Sequence, residues 1–333
     1  MLPAWAQRSQ GASSSSASSN PSWAARSRVL KRPASSQLLP AKRRARRTRA
    51  WDSIEDLQSK LGKAMLPAWW IALLLEAAGP ALKLSVVVGL EVFSGMGELS
   101  SAFALLVGPF LTFEILNDDA EDIMRQSGLM ILLTKFLSIA FEGLLWLGTP
   151  CKSWVVLSRS FTHRSLIQPS GPQLEHTSQR QRDYLDGHNS IAEITALFIR
   201  SATALGIYAI VEQPVSSLLF HYEAMLKALA AANARAVSFQ MSAFEGESPK
   251  PLLLKGTAPC LQTFREVYLL RKAMGERATK RLTRTTTTPS GKQQFTGKMR
   301  ELTASSGYTG CMGTAMALCS LGKSCSEVLA AIS

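Results

Sequence analysis

The chain has 333 residues, of which 46% are hydrophobic and 18% charged, with a formal net charge of +13. That content supplies a sizeable core, excludes wholesale disorder, and suits one large α/β domain or two small ones. Five cysteines without a Cys-x-x-Cys pair and four scattered histidines argue against a metal centre or a disulfide framework, and for a reducing compartment.

Residues 1–50 hold eleven Arg or Lys and no acid, with Ser13–Ser16 and almost no aliphatic pattern. Such a segment does not offset the entropy of ordering, so a disordered basic tail is expected. Lys31-Arg32 and Lys42-Arg43-Arg44-Ala45-Arg46-Arg47 form two basic clusters that resemble a bipartite nuclear import signal, which points to the nucleus. The rest of the chain is nearly neutral, with 26 bases against 24 acids. No apolar run follows Met1–Trp5, so no secretory signal is expected there. The two most apolar stretches, Leu66–Leu82 and Leu129–Leu147, are interrupted by Glu76, Pro80, Lys135 and Glu142. A soluble protein without a membrane partner is therefore expected.

Residues 51–82 read as a helical lead-in, with Ile54, Leu57, Leu61 and Met65 at helical spacing, a break at Pro67 and an end at Gly79-Pro80. Met65–Trp69 repeats Met1–Trp5 letter for letter, and no physical reason for the repeat is evident.

Residues 83–333 form the α/β domain. Strands are predicted at Leu84–Phe93, Leu111–Leu116, Gly143–Gly148, Ile207–Glu212 and Ala236–Met241, with a short one at Leu252–Leu254. Helices are predicted between them at Glu98–Leu106, Ala120–Phe141, Asn189–Leu205 and Ser216–Ala232. This alternation indicates a doubly wound, mostly parallel sheet. Residues 265–300, with ten bases and two acids, stand out as a basic loop or insertion.

Four segments carry chemistry. Phe93-Ser94-Gly95-Met96-Gly97-Glu98 takes a strand into a helix through a Gly-x-Gly turn, where a ligand can approach the main chain closely. Glu98 in the first helical turn repels phosphate, so a cofactor without phosphates fits better than a dinucleotide. Glu114 and Asp118, about 20 residues on, are candidates for ribose hydroxyls, although Asp118 and Asp119 also suit helix capping. Thr149-Pro150-Cys151 and Glu212-Gln213-Pro214 place a thiol and an acid at the carboxyl ends of two strands, where open α/β sheets hold reactive groups. Beyond the cysteine, His163 is a candidate to line the site and Arg159 and Arg164 are candidates to meet phosphates there, the alternative for all three being solvated loop positions; His188-Asn189 suits a helix start.

In order and in element, these segments resemble the cofactor-binding, Pro-Cys and Glu-Asn motifs of the cytosine carbon-5 DNA methyltransferases. Ser248-Pro249-Lys250-Pro251-Leu252 and Tyr308–Met316 are similar to later segments of that family. The resemblance implies a Rossmann-like, class I methyltransferase fold. It also implies S-adenosylmethionine (SAM) as cofactor, with Phe93, Gly95 and Gly97 lining it and Glu114 on its ribose. Cys151 would be the nucleophile on cytosine, Glu212 the group that holds the base, and Pro150 the stiffener of the cysteine loop. DNA, or RNA, would be the partner, with the target base flipped out of the duplex. The chain departs from the family at Lys152 in place of Gln and at Gln213 in place of Asn. It also lacks a Gln-x-Arg-x-Arg segment after Glu212. A second expectation follows from these departures: an inactive methyltransferase fold that serves as a nuclear nucleic-acid-binding or scaffold module.

Overall fold

The computed structural model describes residues 47–172, 177–275, 283–287, 293–297 and 307–333. Its main sheet comprises β1 (Val87–Val92), β2 (Phe110–Phe113), β3 (Ile139–Leu147), β4 (Tyr208–Pro214), β5 (Arg235–Gln240) and β6 (Pro251–Gly256), in the order β2-β1-β3-β4-β6-β5. β1 pairs in parallel with β2 and β3, and β3 with β4. β6 runs antiparallel to both β4 and β5. The sheet is therefore mixed. The expected short strand at Leu252–Leu254 is the element inserted between the fourth and fifth strands.

Helices cover both faces. Along β3, Leu145 and Leu147 enter one core while Leu144 and Trp146 enter the other, as the two-residue period of a strand requires. The first core also takes α1 (Ile54–Gly62), α2 (Ala68–Leu82), α4 (Gln126–Leu137), α6 (Gln179–Ala204) and α7 (Glu223–Ala231). The second takes α3 (Glu98–Leu106), α8 (Cys260–Ala273), α9 (Gly310–Ser320) and α10 (Cys325–Ile332). A one-turn helix, α5 (Arg159–Thr162), lies between β3 and α6. Among the described residues no helix is long and apolar enough to cross a membrane.

Several boundaries differ from the sequence expectation. α2 runs through Pro80 to Leu82, because burial of Ala77, Ala78 and Ala81 offsets the backbone bond that Pro80 forfeits. Asp118 caps a single 3₁₀ turn, Asp119–Glu121, rather than a helix that starts at Ala120. Residues 139–141 belong to β3, since Ile139 pairs with Val87 instead of extending α4. α6 starts ten residues before the expected Asn189, capped by Ser178, whose hydroxyl accepts from Gln181 N. Asn189 is therefore helix interior and donates its side-chain amide to Ser170 O at 3.0 Å. Ser217 caps a 3₁₀ turn at Leu218–His221, so α7 begins at Glu223 rather than near Ser216.

The basic stretch 265–300 is not a plain loop. Its first part completes α8, and β7 (Thr283–Thr287) pairs antiparallel with β8 (Gln293–Gly297). At the other end of the chain, Arg49 and Ala50, expected within the tail, are anchored. Arg49 bridges Ala140 and donates to Leu137 O and Leu84 O at 3.0 Å each, and Ala50 is buried. Residues 1–46, with both basic clusters, lie outside the described residues.

Candidate functional site

The order β2-β1-β3-β4 places the crossover to α3 and β2 on one side of β1 and the crossover to β3 on the other. Chain direction thus diverges at the carboxyl ends of β1 and β3, the position where open α/β sheets form a crevice. Beyond β1, Phe93 (φ 62°), Gly95 (φ 54°) and Gly97 (φ 68°) all adopt left-handed backbone, and Gly97 opens α3. Phe93 is the strained one, since only glycine takes this conformation freely. A Cβ at Gly95 would meet nothing within 4 Å, so that turn borders open space.

Carboxylates surround the turn. Glu114 accepts from Gly95 N at 3.0 Å through Oε2 and from Leu116 N at 3.2 Å through Oε1, so it holds the glycine loop against the end of β2. Glu98 stands in the first turn of α3. Glu91, fully buried in β1, accepts from Ser100 N at 2.9 Å through Oε2, while its Oε1 is buried without a partner. Burial pushes the Glu91 carboxyl up to about 7. An acid in a strand that is otherwise apolar was the available signal for Glu91, and sequence reasoning assigned it no role.

The second half of the site lies at β3 and β4. Gly148 N donates to Val92 O at 3.0 Å and brings Thr149-Pro150-Cys151 beside the glycine turn. Gln213 is fully buried, donates its side-chain amide to Thr149 O and accepts from Ser217 Oγ at 2.8 Å. It ties the end of β4 to the cysteine loop. Glu212 accepts from the Tyr308 hydroxyl at 3.0 Å through Oε2, and its buried Oε1 has no partner. The same hydroxyl accepts from Trp146 Nε1 at 3.0 Å. Burial raises the Glu212 carboxyl above its ordinary value, with Lys250 and Tyr308 opposing.

Cys151 is half-buried and its thiol is pushed up by burial and by the Glu212 charge, while Lys250 and Lys152 pull it down. The structure thus brings Cys151, Glu212 and Lys250 together, beside the turn that carries Phe93, Gly95 and Gly97. Lys250 and Tyr308 both reach this edge, each acting on Glu212. Lys250 precedes the antiparallel β6, and its ammonium lies 6.0 Å from the Tyr308 ring centroid. Tyr308 precedes α9. Both residues lie in segments that sequence reasoning marked for resemblance alone.

Other expected roles change. His163 is an exposed residue in left-handed backbone. Arg164, expected as either a phosphate contact or a solvated loop position, is only 2% exposed. All five cysteines are free, and no group of three His, Cys, Asp or Glu able to hold a metal ion occurs among the described residues. An open cleft lined by Lys60, Lys63, Met65 and Arg200 lies at the opposite edge of the sheet, away from Cys151. Comparison with known proteins finds no family model that matches the chain and no curated protein that matches it.

Proposed function

We propose that the protein is a SAM-dependent methyltransferase with a Rossmann-like, class I methyltransferase domain, acting on carbon 5 of cytosine in DNA or RNA. The observation that carries the reading is a half-buried cysteine and a buried glutamate with one free oxygen, side by side at adjacent strand ends, next to a glycine turn ringed by carboxylates. The chemistry of that ring favours a cofactor that carries positive charge and no phosphate. Glu91 Oε1 is an unpartnered buried acceptor, Glu98 and Glu114 add negative charge, and Gly95 borders open space. Phe93, Gly95, Gly97 and Glu114 would hold SAM, which supplies an electrophilic methyl group.

The residues of the chain do the rest. Cys151 loses its proton to water, helped by Lys250, and its sulfur forms a bond to cytosine carbon 6. Burial raises the Glu212 carboxyl, and a proton taken up on its free Oε1 is donated to ring nitrogen 3 during the attack, so the electron pair released by the addition collects at carbon 5. After methylation, water takes the carbon 5 proton, the sulfur–carbon 6 bond breaks to restore the thiolate and the carbon 5–carbon 6 double bond, and ring nitrogen 3 returns its proton to Glu212. Gln213 and Pro150 fix the loop that aims Cys151. The base leaves its stack to reach the thiol. The basic segments at 1–50 and 265–300 favour a nucleic-acid partner, and the clusters at 31–47 a nuclear location.

Two measurements test the reading. Calorimetry with SAM is expected to show saturable binding that Gly97→Arg abolishes. DNA carrying 5-fluorocytosine is expected to form a covalent adduct in the presence of SAM, lost in Cys151→Ala while that variant still binds SAM. SAM binding without an adduct would favour the inactive, nucleic-acid-binding module, which the raised Cys151 thiol and Lys152 also favour. No SAM binding by a folded protein would overturn the cofactor assignment.

A further inference from the structure

A second buried polar cluster adjoins the first, under the segment that follows Cys151. Trp154 is fully buried, and its backbone N donates to Cys151 O at 2.9 Å. The Arg164 guanidinium stacks on that indole, 3.6 Å from the ring centroid. Arg164 Nη1 donates to Pro169 O, but Nε and Nη2 are buried with no partner. The same condition recurs at His188, which lies within electrostatic reach of Arg164 and whose Nδ1 is also buried and unpartnered. The Tyr184 ring lies 4.6 Å from His188 at a tilt of 59°, and Tyr184 is within electrostatic reach of both Arg164 and Cys151, so this cluster and the thiol share one neighbourhood.

The imbalance has a sign. Arg164 and Lys152 face His188, and together with burial, the larger cause, they hold its imidazole neutral, down to about 4. Burial lowers Arg164 only to about 10, so it remains a cation at neutral pH. Among the described residues no carboxylate pairs with it. Glu193, which faces Tyr222 beside it, accepts the Tyr222 hydroxyl at 3.0 Å. A buried cation without a counter-ion is costly, and stacking on an indole offsets only part of that cost. What the cluster lacks is a compact anion with several acceptor oxygens. A planar fork of free N–H donors suits a phosphate best.

We infer that Arg164, beside His188, forms a phosphate subsite that receives the phosphate of a nucleotide whose base lies at Cys151. The identity of that base rests on the proposed cytosine reading, whereas the phosphate subsite stands on the cluster itself. It separates the work of the two halves: the β3–β4 edge addresses the ring, and the segment beyond the cysteine addresses the backbone.

The test follows the His188 ring protons of the full chain by NMR, assigned with His188→Gln, during titration with deoxycytidine, inorganic phosphate, dCMP and a cytosine-containing single-stranded oligodeoxynucleotide. A phosphate seated on Arg164 offsets one of the two charges that, after burial, keep His188 neutral. Inorganic phosphate, dCMP and the oligonucleotide are thus expected to raise its titration by about one unit, and deoxycytidine is not. Arg164→Gln is expected to abolish the shift and weaken oligonucleotide binding roughly tenfold, with Arg164→Lys retaining part of both. No shift with any phosphate-bearing probe, or equal oligonucleotide affinity in Arg164→Gln, overturns the subsite. A shift with inorganic phosphate alone overturns its assignment to a nucleotide. The 5-fluorocytosine adduct separates the two failures. An adduct that forms equally in wild type and Arg164→Gln leaves the reaction standing without the subsite. A phosphate shift without any adduct leaves the subsite standing without the reaction.

Discussion

Tyr308 donates its hydroxyl hydrogen to Glu212 Oε2 at 3.0 Å, across 96 residues of sequence, and so fixes the carboxylate with one oxygen bound and the other free. The same hydroxyl accepts from Trp146 Nε1. One side chain thus joins β3, β4 and the start of α9.

Tyr308→Phe keeps the ring and removes both bonds, which leaves Trp146 Nε1 and Glu212 Oε2 without their partner. A loss of about 1–3 kcal/mol is expected by urea denaturation. If Glu212 acts on the base, adduct formation is expected to slow by about 10²-fold or more while SAM affinity holds. Unchanged adduct kinetics would remove Tyr308 from the site.

Cys151 reactivity is expected to respond to its two charged neighbours in opposite directions. Glu212 raises the thiol and Lys250 lowers it. Glu212→Gln is therefore expected to speed alkylation of Cys151 by iodoacetamide at pH 7.5, and Lys250→Met to slow it, each by severalfold. Peptide-resolved mass spectrometry distinguishes Cys151 from the buried Cys260 and Cys319, whose thiols burial pushes up to about 12.

Gln213→Asn introduces the residue usual in the resembling family and is expected to destabilise. The Gln213 side chain spans from Thr149 O to Ser217 Oγ inside a closed core. A chain one methylene shorter cannot keep both bonds, so a loss of about 1–3 kcal/mol is expected in denaturant. A gain in stability would show that the loop adapts to the shorter amide.

Glu91 makes stability depend on pH. Its folded value lies near 7, above that of an unfolded carboxyl. The folded state therefore binds the extra proton between the two values. Stability from this group is fully present below about pH 4.5 and is lost as pH rises through 7, a swing on the order of 3 kcal/mol. Glu91→Gln, which still accepts from Ser100 N, is expected to be flatter across that range and more stable than wild type at pH 8. Parallel curves for the two proteins would contradict the assignment.

Much of this site was legible where local pattern and chemistry coincide. α3 spans the expected Glu98–Leu106, because a glycine turn sets its start and apolar spacing its length. Cys151 and Glu212 fall at strand ends whose apolar runs are distinct in sequence. Long-range placement was not legible. Nothing in Leu252–Leu254 tells that β6 runs antiparallel between β4 and β5 and so delivers Lys250 to the thiol. The first ten residues of α6, Gln179–His188, are mostly polar and carry little helical stripe, and the helix starts there because Ser178 caps it. Arg164 was legible as a candidate phosphate contact, but its burial was hidden, since an arginine in a polar loop is ordinarily solvated and only the fold sets it on Trp154.

The reversed direction of β6 divides the loops of this domain by their tolerance to change. Because Pro251 pairs with Gln240 and Leu252 with Pro214, the connection Met241–Lys250 opens on the same edge as Cys151. The turn after Gly256 opens on the far edge, where Thr257 N donates to Ala209 O at 2.9 Å. Insertions or exchanges in the first connection remodel the surroundings of the thiol directly, whereas those in the second leave them untouched. Natural diversification or laboratory grafting that alters target preference is therefore expected to concentrate in residues 245–250, beyond the buried turn Met241–Phe244, whereas Thr257, bonded twice to Ala209, and the buried Ala258 hold the far turn to its length.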